Sequence, residues 1–336
     1  MHATNPPPLN QAPLAYEDAT FLDSSEGRPL RILAEYAEPM ARFRAQRIED
    51  TVVLFGSARI HSRESATTTL EALLHSTSPK TVIPTEAAGE AEGPAFSAPA
   101  ANAPALDAAR TALDMSRFYE DARSLARLHA AWAHTLPGPR HRFVITSGGG
   151  PGIMEAANRG AWEAGAKTIG LNITLPFEQR PNPFITPELS FNFHYFFMRK
   201  FWFASLAKAL VIFPGGFGTL DEAFEMLTLA QTGKLGKKIT VILYGTTFWQ
   251  SILNLDAMAA HGVIAPRDLD LFHFADTPEA AFAILQRDLL THHLNPAPAA
   301  IPDPTQPALT PPTQPIPDTP APSPQRLLGP DIAHTR

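Results

Sequence analysis

An α/β fold, a doubly wound parallel sheet flanked by helices, is what this sequence predicts, and three observations predict it. Short apolar runs of strand length recur along the chain, helical patterns alternate with them, and three of the runs break directly into glycine. Residues 51–55 lead into Gly56-Ser57-Ala58-Arg59, residues 143–146 into Ser147-Gly148-Gly149-Gly150-Pro151-Gly152, and residues 209–213 into Pro214-Gly215-Gly216-Phe217-Gly218-Thr219. Three such turns in one chain belong at the carboxyl ends of parallel strands, around one crevice. The architecture expected is Rossmann-like.

The elements follow in order. Residues 26–47 read as a helix with Leu30, Ile32, Leu33, Tyr36 and Met40 on its apolar face, and Pro39 is expected to kink or break it. The strand at 51 comes next. Residues 106–136 form a long helical stretch in which Leu113, Phe118, Leu125, Leu128 and Trp132 recur at helical intervals. The strand at 143, a helix from Pro151, a strand over 168–173 and a short strand near 189–193 follow. An aromatic helix at 195–206 precedes the strand at 209, and the helix after the third glycine turn runs to Thr232, where Gly233 stops it. A strand over 239–244, a helix over 249–260, a short strand at 271–274 and a helix over 278–290 complete the alternation.

Composition sets the limits. The 336 residues are 44% hydrophobic, ample for a core. Of 34 prolines, 12 fall between Pro296 and Pro324 among Ala, Thr, Gln and Asp. That segment has too little apolar side chain to offset the entropy of ordering, so residues 295–336 read as a disordered tail. A second low-complexity patch at about 76–104 reads as a mobile insertion. Between a flexible N-terminal stretch, 1–25, and the tail, residues 26–294 are expected to form one domain. The net charge of −6, with acids and bases interspersed, leaves no basic stripe for a nucleic-acid polymer. There are no cysteines for disulfides or thiolate metal sites, and no apolar run is long enough to span a membrane. With no hydrophobic signal core in residues 1–13, the expected location is cytoplasmic.

The third glycine turn carries the most chemistry. Gly215, Gly216 and Gly218 let a ligand approach the backbone, Thr219 is placed to cap the following helix, and that helix's N-terminus offers free N–H groups to an anion. Glu222 lies just behind. A carboxylate beside a phosphate is a poor choice for binding phosphate alone, so another part of the ligand is expected to need it. In the aromatic segment, Phe196, Phe197, Phe201, Trp202 and Phe203 surround Arg199 and Lys200. A buried arginine needs an anionic partner, and Glu222 is the obvious one. These aromatics, with Phe191 and Phe193 just before them, suit either a core helix or a subunit interface; a homodimer is the expectation, with this segment at or near the two-fold.

These residues resemble the Lonely Guy (LOG) family, cytokinin-activating phosphoribohydrolases often mislabelled as lysine decarboxylases. The family's Pro-Gly-Gly-x-Gly-Thr-x-x-Glu matches residues 214–222 at every fixed position, and Arg199-Lys200 precedes Glu222 at the family spacing, 23 residues from Arg199. Phe55-Gly56-Ser57-Ala58 and Gly148-Gly149-Gly150-Pro151-Gly152-Ile153-Met154-Glu155 match its other loops. Plant members carry Met-His-x-Arg-Lys where this chain has Phe196-Phe197-Met198-Arg199-Lys200, and its nearest histidine is His194. With Gly170-Leu171-Asn172-Ile173 and Leu175-Pro176-Phe177-Glu178-Gln179, the chain is more similar to the longer bacterial subgroup.

The resemblance implies hydrolysis of the N-glycosidic bond of a nucleoside 5′-monophosphate to a free base and ribose 5-phosphate, with no cofactor and no metal. Glu222 and Arg199 would be catalytic. Glu222 would stabilise positive charge at the anomeric carbon, hold ribose hydroxyls or activate water. Arg199 would hold Glu222 ionised and oriented, or polarise the departing base. Gly215, Gly216, Gly218 and Thr219 would take the phosphate, with Gly149, Gly150, Gly152 and Ser57 contributing from the neighbouring loops and Lys200 as a phosphate contact or a solvated charge. Lysine decarboxylation lacks a marked Schiff-base lysine, and a dinucleotide-dependent oxidoreductase lacks Gly-x-Gly-x-x-Gly after a strand. The remaining alternative is a non-enzymatic binder of nucleotides or phosphorylated pterins, akin to molybdenum cofactor carriers, which would need the cradle without the Arg199 and Glu222 pair.

Overall fold

The computed structural model describes residues 12–77, 103–175 and 180–295. The expected tail, nearly all of the expected insertion, residues 1–11 and residues 176–179 lie outside them. Within the described residues the order is α1 (Ala19–Asp23), α2 (Arg28–Ala45), β1 (Thr51–Phe55), α3 (Arg63–Thr77), α4 (Ala103–Met115), α5 (Arg117–His134), β2 (Val144–Ser147), α6 (Ile153–Glu163), β3 (Thr168–Ile173), β4 (Ser190–Phe193), α7 (Phe196–Leu206), β5 (Ala207–Ile212), α8 (Phe217–Gln231), β6 (Thr240–Tyr244), α9 (Thr246–Ile252), α10 (Leu255–Ala260), β7 (His273–Ala275) and α11 (Pro278–Leu289). The strands form a seven-stranded parallel sheet in the order β4-β3-β2-β1-β5-β6-β7, so the α/β sheet flanked by helices is what the chain builds.

The central strands are buried on both faces, which explains why they read as unbroken apolar runs. Period-two alternation divides them between two cores. Val52, Leu54, Ile145, Ala209, Val211 and Ile242 pack with α5, α6 and α11, while Val53, Phe55, Val144, Leu210, Ile212 and Val241 face α2, α7 and α8. Strand β1 lies between β2 and β5. From β1 the chain winds outward toward β4, then returns to β5 and continues to β7. The order therefore reverses between β1 and β5, the topological switch point at which such sheets open a ligand crevice.

Four local expectations are corrected. Pro39 does not break α2, because the Trp202 indole Nε1 donates to the Glu35 carbonyl at 2.9 Å and satisfies the acceptor that a proline four residues later leaves free. The stretch 106–136 is two helices meeting at Ser116, which is fully buried and donates its hydroxyl to Leu113 O at 2.6 Å. The stretch 249–260 also divides, since Asn254 accepts from Ala257 N at 2.9 Å and caps α10. Phe143 stands outside β2 in the left-handed region, φ 53°, its N–H held by the buried Asp50 carboxylate at 2.6 Å. Helix α3 was not foreseen, and α1 falls within the stretch expected to be flexible.

Candidate active site

The β1 and β5 turns are fastened together at the switch point. Phe213 N donates to Phe55 O at 2.8 Å, Ser57 N to Pro214 O at 3.0 Å and Ile153 N to Ser57 O at 3.1 Å. Gly152 has φ +68° and a Cβ there would meet the Ser57 carbonyl oxygen at 2.4 Å, so only glycine lets the α6 entry sit this close. Between the turns opens a crevice of about 850 Å³. Among its lining residues are Ser57, Arg199, Glu222, Gly215, Gly216, Gly218 and Thr219, which the structure brings together as the sequence suggested.

Helix α8 begins at Phe217 with Gly216 at its N-cap position and no side-chain cap. Its first N–H groups are thus free for a ligand. Thr219, expected as the cap, is instead the third helical residue, and its side chain fills the place a Cβ on Gly215 would need, 2.1 Å from the hydroxyl oxygen. Gly216 and Gly218 differ from Gly215: a Cβ on either would meet nothing within 4 Å, and neither has a positive φ. Internal packing does not require glycine there, and Gly218 costs α8 about 1 kcal/mol relative to alanine. Both leave open space at the crevice in which a ligand could approach the backbone.

Arg199 on α7 and Glu222 on α8 meet across the crevice wall, Nη2 to Oε1 at 2.8 Å, with side chains 15% and 6% exposed. Phe196 and Phe203 lie against the guanidinium at 5.4 and 5.6 Å from the ring centroids, a stacking that suits arginine and not lysine. Burial pushes the Glu222 carboxyl above its ordinary value, and the charge and hydrogen bond of Arg199 partly offset the rise. The result is a comparatively basic carboxyl group, paired with Arg199, beside the open end of α8.

Other expected contacts lie elsewhere. Lys200 is not among the residues lining the crevice; its Nζ is held by Asp221 at 2.8 Å and Glu225 at 3.0 Å. In the second glycine loop it is Gly148 that reaches the crevice, whereas Gly149, Gly150 and Gly152 do not. Gly149, φ +75°, packs on the Asn172 amide, and the carbonyls of Gly149 and Gly150 both accept from Asn182 Nδ2 at 3.1 Å. These glycines shape the loop. Sequence reasoning did not assign Met154, which lies in a matched loop, to the lining, missed Phe248 and Ile252, which no motif marks, and passed over Arg59 as the end of a turn.

Fold and crevice place the chain among α/β proteins whose ligand cleft opens at a strand-order reversal. Residues 154–285 match the family described as "Possible lysine decarboxylase". The rice protein "Cytokinin riboside 5'-monophosphate phosphoribohydrolase LOG" is 30% identical over 125 residues, 36% of this chain and 50% of that protein. The Arabidopsis thaliana "Probable cytokinin riboside 5'-monophosphate phosphoribohydrolase LOG6" is 25% identical over 151 residues, 44% of this chain and 74% of that one. The match thus spans half the length of the rice relative. Over these stretches the chain is similar, distantly, to the LOG phosphoribohydrolases of plants. Among solved structures, the molybdenum cofactor binding protein of Rippkaea orientalis aligns at 19% identity and TM-score 0.36, over 52% of this chain and 88% of that one. The Moco carrier protein of Chlamydomonas reinhardtii aligns at 23% and 0.35, over the same shares of 52% and 88%.

Proposed function

We propose that this chain hydrolyses the N-glycosidic bond of a nucleoside 5′-monophosphate, adenosine monophosphate or a cytokinin riboside 5′-monophosphate, to the free base and ribose 5-phosphate. The observation that carries the reading is the buried 2.8 Å pair of Arg199 and Glu222 in the wall of a crevice whose adjoining side is the uncapped N-terminus of α8. A phosphate binder alone gains nothing from a carboxylate there. In the reaction, a water oxygen bonds to C1′ as the C1′–N bond breaks; its electron pair leaves with the base, which takes up a proton. Positive charge develops on the ribosyl ring. Glu222 opposes that charge and, with its raised pKa, is suited to accept the water's proton. Arg199 keeps the carboxylate ionised and aimed, and the free N–H groups of α8 hold the phosphate that fixes C1′ at the carboxylate. Distant homology to phosphoribohydrolases supports the same reading.

The working unit we propose is a homodimer. On α2 and α7 the side chains of Leu33, Tyr36, Phe197 and Phe201 are exposed, and the rings of Tyr36 and Phe201 meet with centroids 5.6 Å apart. Such a face is expected to find a partner.

The test incubates the purified protein with adenosine monophosphate, a prenylated adenosine monophosphate and adenosine, and follows free base by chromatography. Release from the nucleotides without added metal, and far less from adenosine, is the expected result. Binding without release would turn the reading toward a carrier, and equal cleavage of adenosine would refute the phosphate cradle.

A further inference from the structure

We infer that Arg59 is the phosphate-binding cation of this crevice, a role that the sequence offered to Lys200; the inference rests on the nucleotide reading above. Charge bookkeeping within the crevice leads to it. Among the described residues that line it, the ionisable side chains are Arg59, Arg199 and Glu222. Arg199 and Glu222 are joined at 2.8 Å and cancel. Lys200 is held by two carboxylates of α8, Asp221 and Glu225. What remains is the positive charge of Arg59, whose guanidinium has no hydrogen-bonding or ion-pair partner among the described residues.

Its position suits the task. Arg59 closes the β1 turn, whose backbone is tied to the β5 turn through Ser57 N and Pro214 O and to the α6 entry through Ile153 N and Ser57 O, at 3.0 and 3.1 Å. The Ser57 hydroxyl accepts from Arg59 N at 3.1 Å and holds the backbone of the turn from which the side chain rises. A cation thus rises from a braced turn on the β1 side of the crevice, while the free N–H groups of α8 line the β5 side. A phosphate between them would carry about two negative charges, more than the half charge of a helix N-terminus balances. The fork of a guanidinium meets two phosphate oxygens at once. Arg59 would therefore contribute to nucleotide affinity and to the preference for a phosphorylated sugar, and would leave the bond-breaking step to Glu222.

Ribose 5-phosphate is the probe of choice, because it carries the phosphate and cannot be turned over. Calorimetric titration into the full chain and into Arg59→Ala should show affinity falling about ten- to a hundredfold, as loss of a charge-assisted contact implies. Arg59→Lys should recover much of it, and unphosphorylated ribose should not distinguish the three proteins. In turnover, Arg59→Ala should raise KM for adenosine monophosphate by a similar factor with kcat within a few fold. An affinity unchanged within twofold would overturn the inference. So would a failure of the parent chain to bind ribose 5-phosphate at millimolar concentration, or a loss confined to Lys200→Ala. If ribose 5-phosphate binds in an Arg59-dependent way but adenosine monophosphate yields no base, the hydrolase reading falls and the assignment of Arg59 stands.

Discussion

Replacing Glu222 by glutamine tests the proposed chemistry most directly, because it removes one charge and keeps nearly every contact. Glutamine is isosteric, and its carbonyl can still accept from Arg199 Nη2 across the present 2.8 Å. What is lost is the negative charge beside the anomeric carbon. Removal of one electrostatic stabiliser lowers turnover by about a hundredfold or more, equivalent to roughly 2.7 kcal/mol of barrier. The stability cost should be smaller. Breaking a buried pair can cost about 3–5 kcal/mol, but Arg199 keeps a hydrogen bond, rests on two phenylalanine rings and is 15% exposed. Burial already disfavours the Glu222 charge, so its removal also returns desolvation energy. We expect a change of about 1 kcal/mol, a melting shift of a few degrees. The assay is single-turnover release of adenine from adenosine monophosphate, paired with thermal melting and ribose 5-phosphate titration. Normal turnover in Glu222→Gln would refute the reasoning, and lost turnover with collapsed melting would show a structural residue instead. The pH profile gives a second reading. In the proposed mechanism the ionised form is the active one, so kcat/KM should fall as pH drops through a value above the ordinary carboxylate 4.5, a limb absent from the residual activity of the variant.

Arg199→Ala should lose turnover on a similar scale while melting lower than Glu222→Gln, since it strands a buried carboxylate; full activity would remove Arg199 from the site. His129, fully buried on α5 with Nε2 3.0 Å from Phe143 O, has its pKa pulled down to about 4 by burial. Its unfolded value is near 6.5, so stability should be complete above that pH and decline by about 3 kcal/mol toward pH 4; His129→Gln should flatten the decline, and an unchanged acid limb would count against the assignment. Light scattering at micromolar concentration should report a dimer, and a monomeric mass with full activity would mean that the exposed aromatics of α2 and α7 serve no assembly.

Most of the fold was readable because a parallel sheet buried on both faces writes itself as apolar runs, and its turns as glycine. What escaped depended on contacts distant in sequence. Pro39 continues a helix only because Trp202, far along the chain, donates to the Glu35 carbonyl, and no local rule contains that bond. Phe143 looks like the first residue of a strand until Asp50 is seen holding its N–H in a left-handed turn. The division at Asn254 was legible in principle, since an asparagine three residues before an N–H it can cap is a local signal.

The candidate site was legible for a related reason, and only in part. Glycine and the Arg199 and Glu222 spacing are backbone-level requirements, so they appear as a motif. Within the glycines the sequence could not separate two roles that the structure separates. Gly149 and Gly152 serve the loop, with positive φ and neighbours where a Cβ would go, whereas Gly216 and Gly218 have neither and open onto the crevice. Charges are harder to read, because the effect of a cation depends on what neutralises it. Lys200 stands next to Arg199 in the chain, yet a step of one residue along a helix turns it by about 100° onto another face. There Asp221 and Glu225 hold it. Arg59 lies 140 residues earlier than Arg199, and reaches the crevice because β1 and β5 are neighbours in the sheet. Adjacency in sequence favoured the lysine, and the order of the strands favours the arginine.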